Sequence, residues 1–435
     1  MIRNVTALAW GVICASLGWG ATPARADDQD ASALALADMA PAATERGGDW
    51  RSLVEGAYGS AGQGAGSPAR YAHRLSLDVR YDHSLSSDWR VILADRLDVS
   101  RPAQTAGQNS INTLKEAYLS WRMPANSTSS MNSILDFGRI NVRYGVATGY
   151  SPTDYFRVGA LRSVVSINPA SLKENRQGSV MWRGQWLWDR GSLTALHSPR
   201  LNDRASRNAF NPDWDATNNQ QRWLIALSQK ISDNIAPQLL IYREEDRPAQ
   251  LGLNLTGVVD AATVAYLEWS GGRSPSLLTQ ALRQTAIARP DDSAFRSRLS
   301  TGLVYTTSNR ISLTAELEYN GGGLDRAGWD GLRRGSPVAY AQYRNWLQVL
   351  QEPPTRRLVF LNCTWQDALI DRLDLSAMLS SDLVDSSRRS WLEARYRDGG
   401  AEYALQWQRG SGQSLSNYGA ASQTNGWQVL LRYYF

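Results

Sequence analysis

Between Asn141 and Asn175 the chain places Arg143, Tyr144, Asp154, Tyr155, Arg157, Arg162 and Lys173, with Arg139 just before and Arg176 just after. Cations, one acid and tyrosines at this density can hold or sort a polar solute, but they supply no nucleophile paired with a base. A guanidinium offers a planar fork to carboxylate or phosphate, so the chemistry implied is recognition of an anionic or polyhydroxylated molecule. A second basic group, Arg80, Arg90, Arg96 and Arg122, stands among Asp78, Asp82, Asp98 and Glu116. Mixed charges of this kind set up a transverse field that separates solutes by charge and dipole. Lysine occurs only at 115, 173 and 230. Because arginine replaces lysine along the whole chain, the excess supports anion preference only weakly.

Bond-making chemistry finds little footing. The only histidines are His73, His83 and His197, and none sits in a short motif with a nucleophile. Glu316 and Glu318 alternate with apolar residues and read as charges on one strand face rather than an acid–base pair. The run Asn320-Gly321-Gly322-Gly323 reads as a flexible loop start, since no helix follows a strand there as a phosphate cradle requires. Beyond Cys14 there is one cysteine, Cys363, so neither a disulfide framework nor a Cys-based metal site is expected. No cofactor and no metal follow from these residues, and an enzyme is not the expected reading.

The elements that must position the charged residues are strands. Leu75, Leu77, Val79 and Tyr81 alternate with Ser76, Asp78, Arg80 and Asp82, and Ile311 to Tyr319 repeats the pattern around Ser312, Thr314, Glu316 and Glu318. Further on, Leu373 to Leu379, Leu392 to Arg397 and Tyr403 to Gln408 do the same, with Glu393, Arg395 and Arg397 sharing one face. Strand side chains alternate with period two, so each segment has an apolar face and a charged one. Paired opposite charges on the polar face suit the wall of a wet channel, and the apolar set then faces lipid. Counting such segments from 51–58 to 425–435 predicts an all-β transmembrane antiparallel barrel of about eighteen strands, with sixteen as the alternative. Short connections such as 189–190 read as periplasmic turns. The long ones, 141–175, 199–219, 270–295 and 321–355, read as external loops.

Both ends of the chain agree. Trp427, Val429, Leu431, Tyr433 and Phe435 fall at every second position and end the sequence on an aromatic, as the closing, membrane-assembly strand of a barrel would. Residues 1–26 read as a secretory signal peptide, with Arg3, an apolar run and Ala24-Arg25-Ala26 before Asp27. Residues 27–50 read as a flexible periplasmic arm, briefly helical from Ala31 to Met39, and 51–435 as the barrel domain. No apolar run of about eighteen residues follows, so no transmembrane helix is expected. The leader carries two basic and no acidic residues, so the net charge of +5 becomes +3 after cleavage. That small balance does not describe a nucleic-acid binder. The 17 Trp and 18 Tyr against 6 Phe are the amphipathic aromatics a membrane interface collects.

The closing segment resembles the terminal recognition strand of Gram-negative outer-membrane proteins. The block from Tyr144-Gly145 through Tyr150-Ser151-Pro152-Thr153-Asp154-Tyr155-Phe156-Arg157 is similar to a loop of little-characterised proteobacterial barrels, whose form is that of eighteen-stranded alginate-export and porin-type channels. The resemblance implies localisation in the outer membrane after export through the periplasm, with outer-membrane lipid and the barrel-assembly machinery as partners. It also implies passive passage of small polar or anionic solutes or carbohydrate polymers. As in many porin-type barrels, the third external loop, 141–175, is then expected to fold inward. A constriction is expected from Arg80, Arg96, Arg122, Arg139, Arg143, Tyr144, Asp154, Tyr155, Arg157, Arg162, Lys173 and Arg176. Pro152-Thr153-Asp154 reads equally as a turn that starts a short helix, with Thr153 or Asp154 capping it. The other function class is a non-conducting assembly or adhesin barrel that binds a ligand through its external loops, and oligomeric state is left open.

Overall fold

The computed structural model describes residues 49–62, 70–103, 107–123, 132–201, 208–283, 285, 287–288, 290–420 and 425–435, so the expected signal peptide and nearly all of the arm lie outside the described residues. Among these, eighteen antiparallel strands form one sheet. The first six are β1 (Trp50–Gly62), β2 (Arg70–Ser84), β3 (Trp89–Arg101), β4 (Ser110–Met123), β5 (Asn132–Ile140) and β6 (Ser179–Trp188). Next come β7 (Gly191–Ser198), β8 (Arg222–Gln229), β9 (Ile235–Glu244), β10 (Gln250–Asp260), β11 (Thr263–Ser274) and β12 (Ala294–Thr306). The last six are β13 (Ile311–Asn320), β14 (Arg357–Trp365), β15 (Leu373–Asp382), β16 (Arg388–Asp398), β17 (Ala401–Ser411) and β18 (Asn425–Tyr434). Every strand pairs with its neighbours in sequence, and β1 also pairs with β18, from Leu53 opposite Tyr434 to Gly62 opposite Asn425. The sheet therefore closes into a barrel, and the count is eighteen rather than sixteen.

Alternation sorts the side chains as period two requires. On β18, Val429, Leu431, Tyr433 and Phe435 are about half exposed or more, while Leu430 between them is buried. On β2, Leu75 and Leu77 are exposed, while Ser76 and Asp78 are buried inside. Most strands expose such an outward set, more apolar surface than a water-facing protein tolerates. Hydrocarbon is the solvent that this wall fits, and closure leaves no edge with unpaired backbone groups.

Because the strand number is even, the start of β1 and the end of β18 lie at one end of the barrel. Short turns such as Asp189-Arg190 and Asp398-Gly399-Gly400 join strands there, and the longest connections are at the far end. The far end also has two short connections, 245–249 and 383–387, so loop length alone does not identify it. Some expected boundaries move. Trp50, assigned to the arm, is the first residue of β1, where its ring packs 4.4 Å from that of Tyr81 on β2. Arg176 to Gly178, assigned to a strand, belong to the third far-end loop. Arg176 pairs with Asp154 there, and Gln177 donates its backbone N–H to Ala160 O at 2.8 Å.

The far-end connections carry helices that the strand pattern did not announce: α1 (Pro169–Glu174), α2 (Trp214–Asn218), α3 (Leu277–Leu282), α4 (Arg326–Arg334) and α5 (Pro337–Leu350). The loop 321–356 is mainly helical. Asp325 caps α4 by accepting from Gly328 N, and Ser336 caps α5 by accepting from Ala339 N, with Pro337 at the first helical turn. Ala339, Tyr343, Leu347 and Leu350 line one stripe of α5 and pack with Trp329, Leu332 and the leucines of α3 into a core of their own. Asn320-Gly321-Gly322-Gly323, expected as a flexible start, is a built turn. Asn320 Oδ1 accepts from Gly322 N at 3.0 Å, and its amide donates to Glu352 and to Pro353 O.

The closing seam is locked from inside by a buried carboxylate. Glu55 on β1 accepts from Arg74 (2.6 Å), Arg96 (2.9 Å) and Arg432 (2.5 Å), which stand on β2, β3 and β18. Asp98 and Asp78 balance the surplus cations, with Lys115 at 2.6 Å from Asp78. Removing Glu55 would leave three guanidiniums to share Asp98, Asp78 and Glu402, and breaking a buried pair in this way costs about 3–5 kcal/mol. We expect Glu55→Ala to lower the unfolding free energy of the detergent-folded barrel by that order, read as a lower urea midpoint, whereas Val54→Ala, whose side chain points outward, changes the midpoint little. Equal midpoints for the two variants would refute the lock.

Candidate functional site

The loop between β5 and β6, residues 141–178, lies against both walls of the barrel. Two carboxylates hold it from one wall. Glu268 on β11 accepts from Val146 N (2.9 Å), Ala147 N (3.0 Å), Thr153 N (2.7 Å) and Thr153 Oγ1 (2.8 Å). Glu316 on β13 accepts from Thr148 N (2.5 Å), Gly149 N (2.9 Å) and the hydroxyl of Tyr266 (2.5 Å). Charge-assisted bonds from backbone amides to a carboxylate are among the stronger hydrogen bonds, and here they also satisfy loop amides that have no strand partner. Two glycines make the approach feasible. Gly145 has φ +100°, and a Cβ there would meet the Glu268 carboxylate at 2.6 Å. A Cβ on Gly149 would meet Glu318 Oε1 at 2.5 Å and the ring of Phe360 at 2.6 Å.

Apolar packing fixes the loop beside these staples. Val142, Tyr155 and Phe156 pack with Met181, Leu196, Leu224, Ala226, Leu240 and Tyr242, inward residues of β6 to β9. The Tyr155 and Tyr242 rings stack at 4.3 Å, and Arg222 lies over Phe156 at 4.6 Å. On the opposite wall, Ile167 packs on Phe360, Met378 and Trp391, and Gln428 on β18 donates to Val165 O at 3.2 Å. The loop thus reaches from β6–β13 across to β14–β18.

A third carboxylate, Glu352 just after α5, ties the helical cap to the same loop. Its side chain is almost wholly buried and accepts from Tyr150 Oη (2.6 Å), Arg157 Nη2 (2.6 Å) and Asn320 Nδ2 (3.0 Å), with Arg298 Nη1 at 3.2 Å. Gly159 N donates to Val349 O at 3.0 Å, and Gln351 Nε2 to Arg157 O at 2.6 Å. Burial pushes the Glu352 carboxyl up, but Arg298 and Arg157 outweigh it and hold the carboxyl below its ordinary value.

The twelve residues expected at a constriction are not brought to one place. Arg143 is exposed between the packed Val142 and Tyr144, and Lys173 is partly exposed with its ammonium on Ala147 O at 2.9 Å. Arg80 faces the interior on β2, bonded to Glu116 at 2.6 Å. Asp154 and Arg176 form a buried pair, Tyr155 sits in the Tyr242 stack, and Arg157 is held by Glu352. Asp154 flanks a 3-10 turn at Tyr155–Arg157 and makes no side-chain cap; one of its carboxylate oxygens is paired with Arg176. Arg162 donates to Asn112 O and pairs with Asp213 at 3.2 Å. Arg96 belongs to the Glu55 lock, and Arg122 stands exposed near the termini end of β4. Arg139 has the parity of the outer face, buried beneath Pro212 and Trp214: it donates to Pro212 O at 2.7 Å and lies 4.7 Å over the indole.

The residues that organise the site, Glu268, Glu316 and Glu352, were not singled out for that role by sequence reasoning. One signal was readable: Trp223-Leu224-Ile225-Ala226-Leu227 is apolar on both faces, which a wet interior does not explain unless something covers the inside. His83 Nδ1 lies 2.7 Å from Asp49, and His197 stacks on Trp223 at 3.9 Å.

Two measurements follow. Each staple removed leaves several buried loop amides unpaired at about 1–3 kcal/mol apiece. Glu268→Ala and Glu316→Ala should therefore expose 141–178 to limited proteolysis while the barrel keeps its heat-modifiable gel migration, and unchanged cleavage would refute the staples. The folded-state value of Glu352 is depressed, so its stabilising contribution is present above the ordinary 4.5 and is lost as pH falls through the lowered value. Hydrogen exchange of α5 should accelerate below that pH in the wild type. In Glu352→Gln it should be fast and flat, and an identical pH profile in the two would overturn the assignment.

No protein-family model matches the chain, and no curated protein sequence matches it. Solved structures do. Pseudomonas aeruginosa OccK8 (OprE) superposes with a TM-score of 0.51 at 11% identity, covering 89% of this chain and 98% of that one. Acinetobacter baumannii OccAB1 does so with a TM-score of 0.53 at 10% identity, covering 89% and 96%. At such identities the likeness is one of fold alone. With every strand paired on both sides and the seam closed, the chain has the closed antiparallel barrel fold of Gram-negative outer-membrane porins.

Proposed function

We propose that the chain is an outer-membrane channel of a Gram-negative bacterium through which small polar solutes pass passively. In this reading residues 1–26 direct export, and the aromatic closing strand, Trp427 to Phe435, engages the assembly machinery. The observation that carries it is the wall itself, apolar outside and charged inside, closed around a loop that is tied to both of its faces. Such a barrel has no use for an ion-lined interior unless water and solute enter it.

Most of the cations expected to select solutes are neutralised by acids or carbonyls. Arg143, Lys173 and Arg80 are cations of that set left at least partly exposed away from the termini end where Arg122 stands, so they are the ones assigned to selectivity, with a tilt toward anionic or polyhydroxylated solutes. A non-conducting barrel that binds a ligand through its external loops is the second reading, favoured by one observation: the α4–α5 cap is tied to the third loop through Glu352.

Planar-bilayer recording separates the two. Ohmic current through the purified full chain supports the channel, and its absence in folded protein favours the second reading. A unit charge about 4 Å from a permeating ion in water is worth about 1 kcal/mol, roughly fivefold in local occupancy. Arg143→Ser should thus lower the anion-to-cation permeability ratio by up to about that factor with the fold unchanged. Reversal potentials identical to wild type in a salt gradient would remove Arg143 from the selective set.

A further inference from the structure

The arginines on the outside of the barrel differ from those within. Arg357 opens β14, Arg388 opens β16 and Arg409 lies two residues from the end of β17, all at the far rim. By strand parity they share the outer face with Leu361, Leu392, Leu405 and Trp407, which are exposed on the same three strands. The three arginines are exposed too, and their side chains have no hydrogen bond or ion pair among the described residues. Arg395, on the inner face of β16, is by contrast bonded to Glu393 at 2.9 Å and to Glu402 at 2.6 Å.

Register brings the outer set together. Arg388 stands opposite Ser411 and Arg409 opposite Ser390, so the two arginines are diagonal neighbours on adjacent strands, their Cα atoms about 7–8 Å apart. Arg357 is two strands away across β15, whose outward residues there are Ser381 and Leu383. No outward position of β14 to β17 at this rim is acidic. The nearest acids in sequence are engaged elsewhere: Asp382 accepts from Thr355 and Asn417 side chains, and Asp385 from the Ser387 and Asn417 amides. The opposite end of the barrel is built differently, for its turns pair Arg310 with Asp367, Arg372 with Asp398 at 3.3 Å and Lys230 with Asp233 at 3.4 Å.

Unmatched cations side by side repel unless an anion stands between them. The apolar wall below says what carries that anion. A dissolved ion gains nothing from exposed leucines, whereas a lipid uses both surfaces at once, its head on the cations and its chains on the leucines. We infer that Arg357, Arg388 and Arg409 hold the phosphate-bearing head group of a membrane lipid, whose acyl chains lie along Leu361, Leu392, Leu405 and Trp407. Guanidinium forks match phosphate oxygens in pairs, and the Ser390 and Ser411 hydroxyls add donors at the same level. The inference rests on the wall facing lipid and not on whether the interior conducts.

The test is native mass spectrometry of the detergent-folded full chain titrated with diphosphoryl lipid A, with phosphatidylcholine and inorganic phosphate as comparison probes. Lipid A should be retained more tightly than phosphatidylcholine. The double variant Arg388→Gln/Arg409→Gln should weaken its binding about 25-fold, about fivefold per guanidinium, with heat-modifiable migration unchanged. Arg310→Gln, at the opposite end, should leave retention as in the wild type. If the double variant fails to fold, the single variants Arg388→Gln and Arg409→Gln decide, at about fivefold each. Equal affinity in the variants, or equal retention of phosphatidylcholine, would overturn the assignment. So would complete displacement of lipid A by inorganic phosphate at an ionic strength matched with chloride, which would make the cluster a site for soluble anions.

Discussion

Everything in this molecule depends on the pairing of β1 with β18. In hydrocarbon no solvent satisfies an exposed N–H or C=O, so a sheet with an edge is not a stable solution there. Ten register pairs from Leu53–Tyr434 to Gly62–Asn425 remove the edge. Closure in turn creates an interior, and with it the problem of burying charged wall residues. Glu55 solves that problem at the seam, where a single carboxylate joins arginines from three other strands around it. The lock and the closure are one event: Arg432 reaches Glu55 only when β18 lies beside β1.

The same exchange of backbone and charge organises the interior. A loop of this length brings many amides with no ladder to join, and the wall brings carboxylates with no water to solvate them. Glu268 and Glu316 meet Val146 to Gly149 and Thr153, and each group resolves the other's deficit. Gly145 and Gly149 are part of this solution, since a side chain at either position would displace the carboxylate it faces. Glu352 extends the arrangement to the helical cap, so loop, cap and two wall strands share one buried acid.

A consequence is that arginine content is a poor guide to what a passing solute meets. Arg96, Arg157, Arg162 and Arg176 have close partners, and Arg139 stands on the outer-face parity under Trp214. A guanidinium with five donors suits the tying of irregular loops to carbonyls and acids as well as it suits ligand recognition. In the channel reading proposed above, electrostatic selectivity falls to the few side chains that the tying did not use.

Period-two alternation was enough, on sequence alone, to indicate a barrel of sixteen to eighteen strands (the closed sheet decided eighteen), the lipid-facing set of several of them, and the closing role of Trp427 to Phe435. Those are properties of consecutive residues on one strand, and a pleated backbone converts them directly into faces. The helices of 321–356 were also readable, in the Ser336-Pro337 start and the spacing of Ala339, Tyr343, Leu347 and Leu350, but a reading tuned to strands passed over them. The site was legible only as a density of charge in 141–175. Which groups of the loop have partners was decided by acids on other elements, from Asp213 for Arg162 to Glu268 for the Thr153 amide and Glu352 for Arg157. Local spacing carries no record of such partners. Closing the barrel brings β11, β13 and the α5 end around the loop, and that juxtaposition, not the residue types, separates a buried strut from an exposed charge.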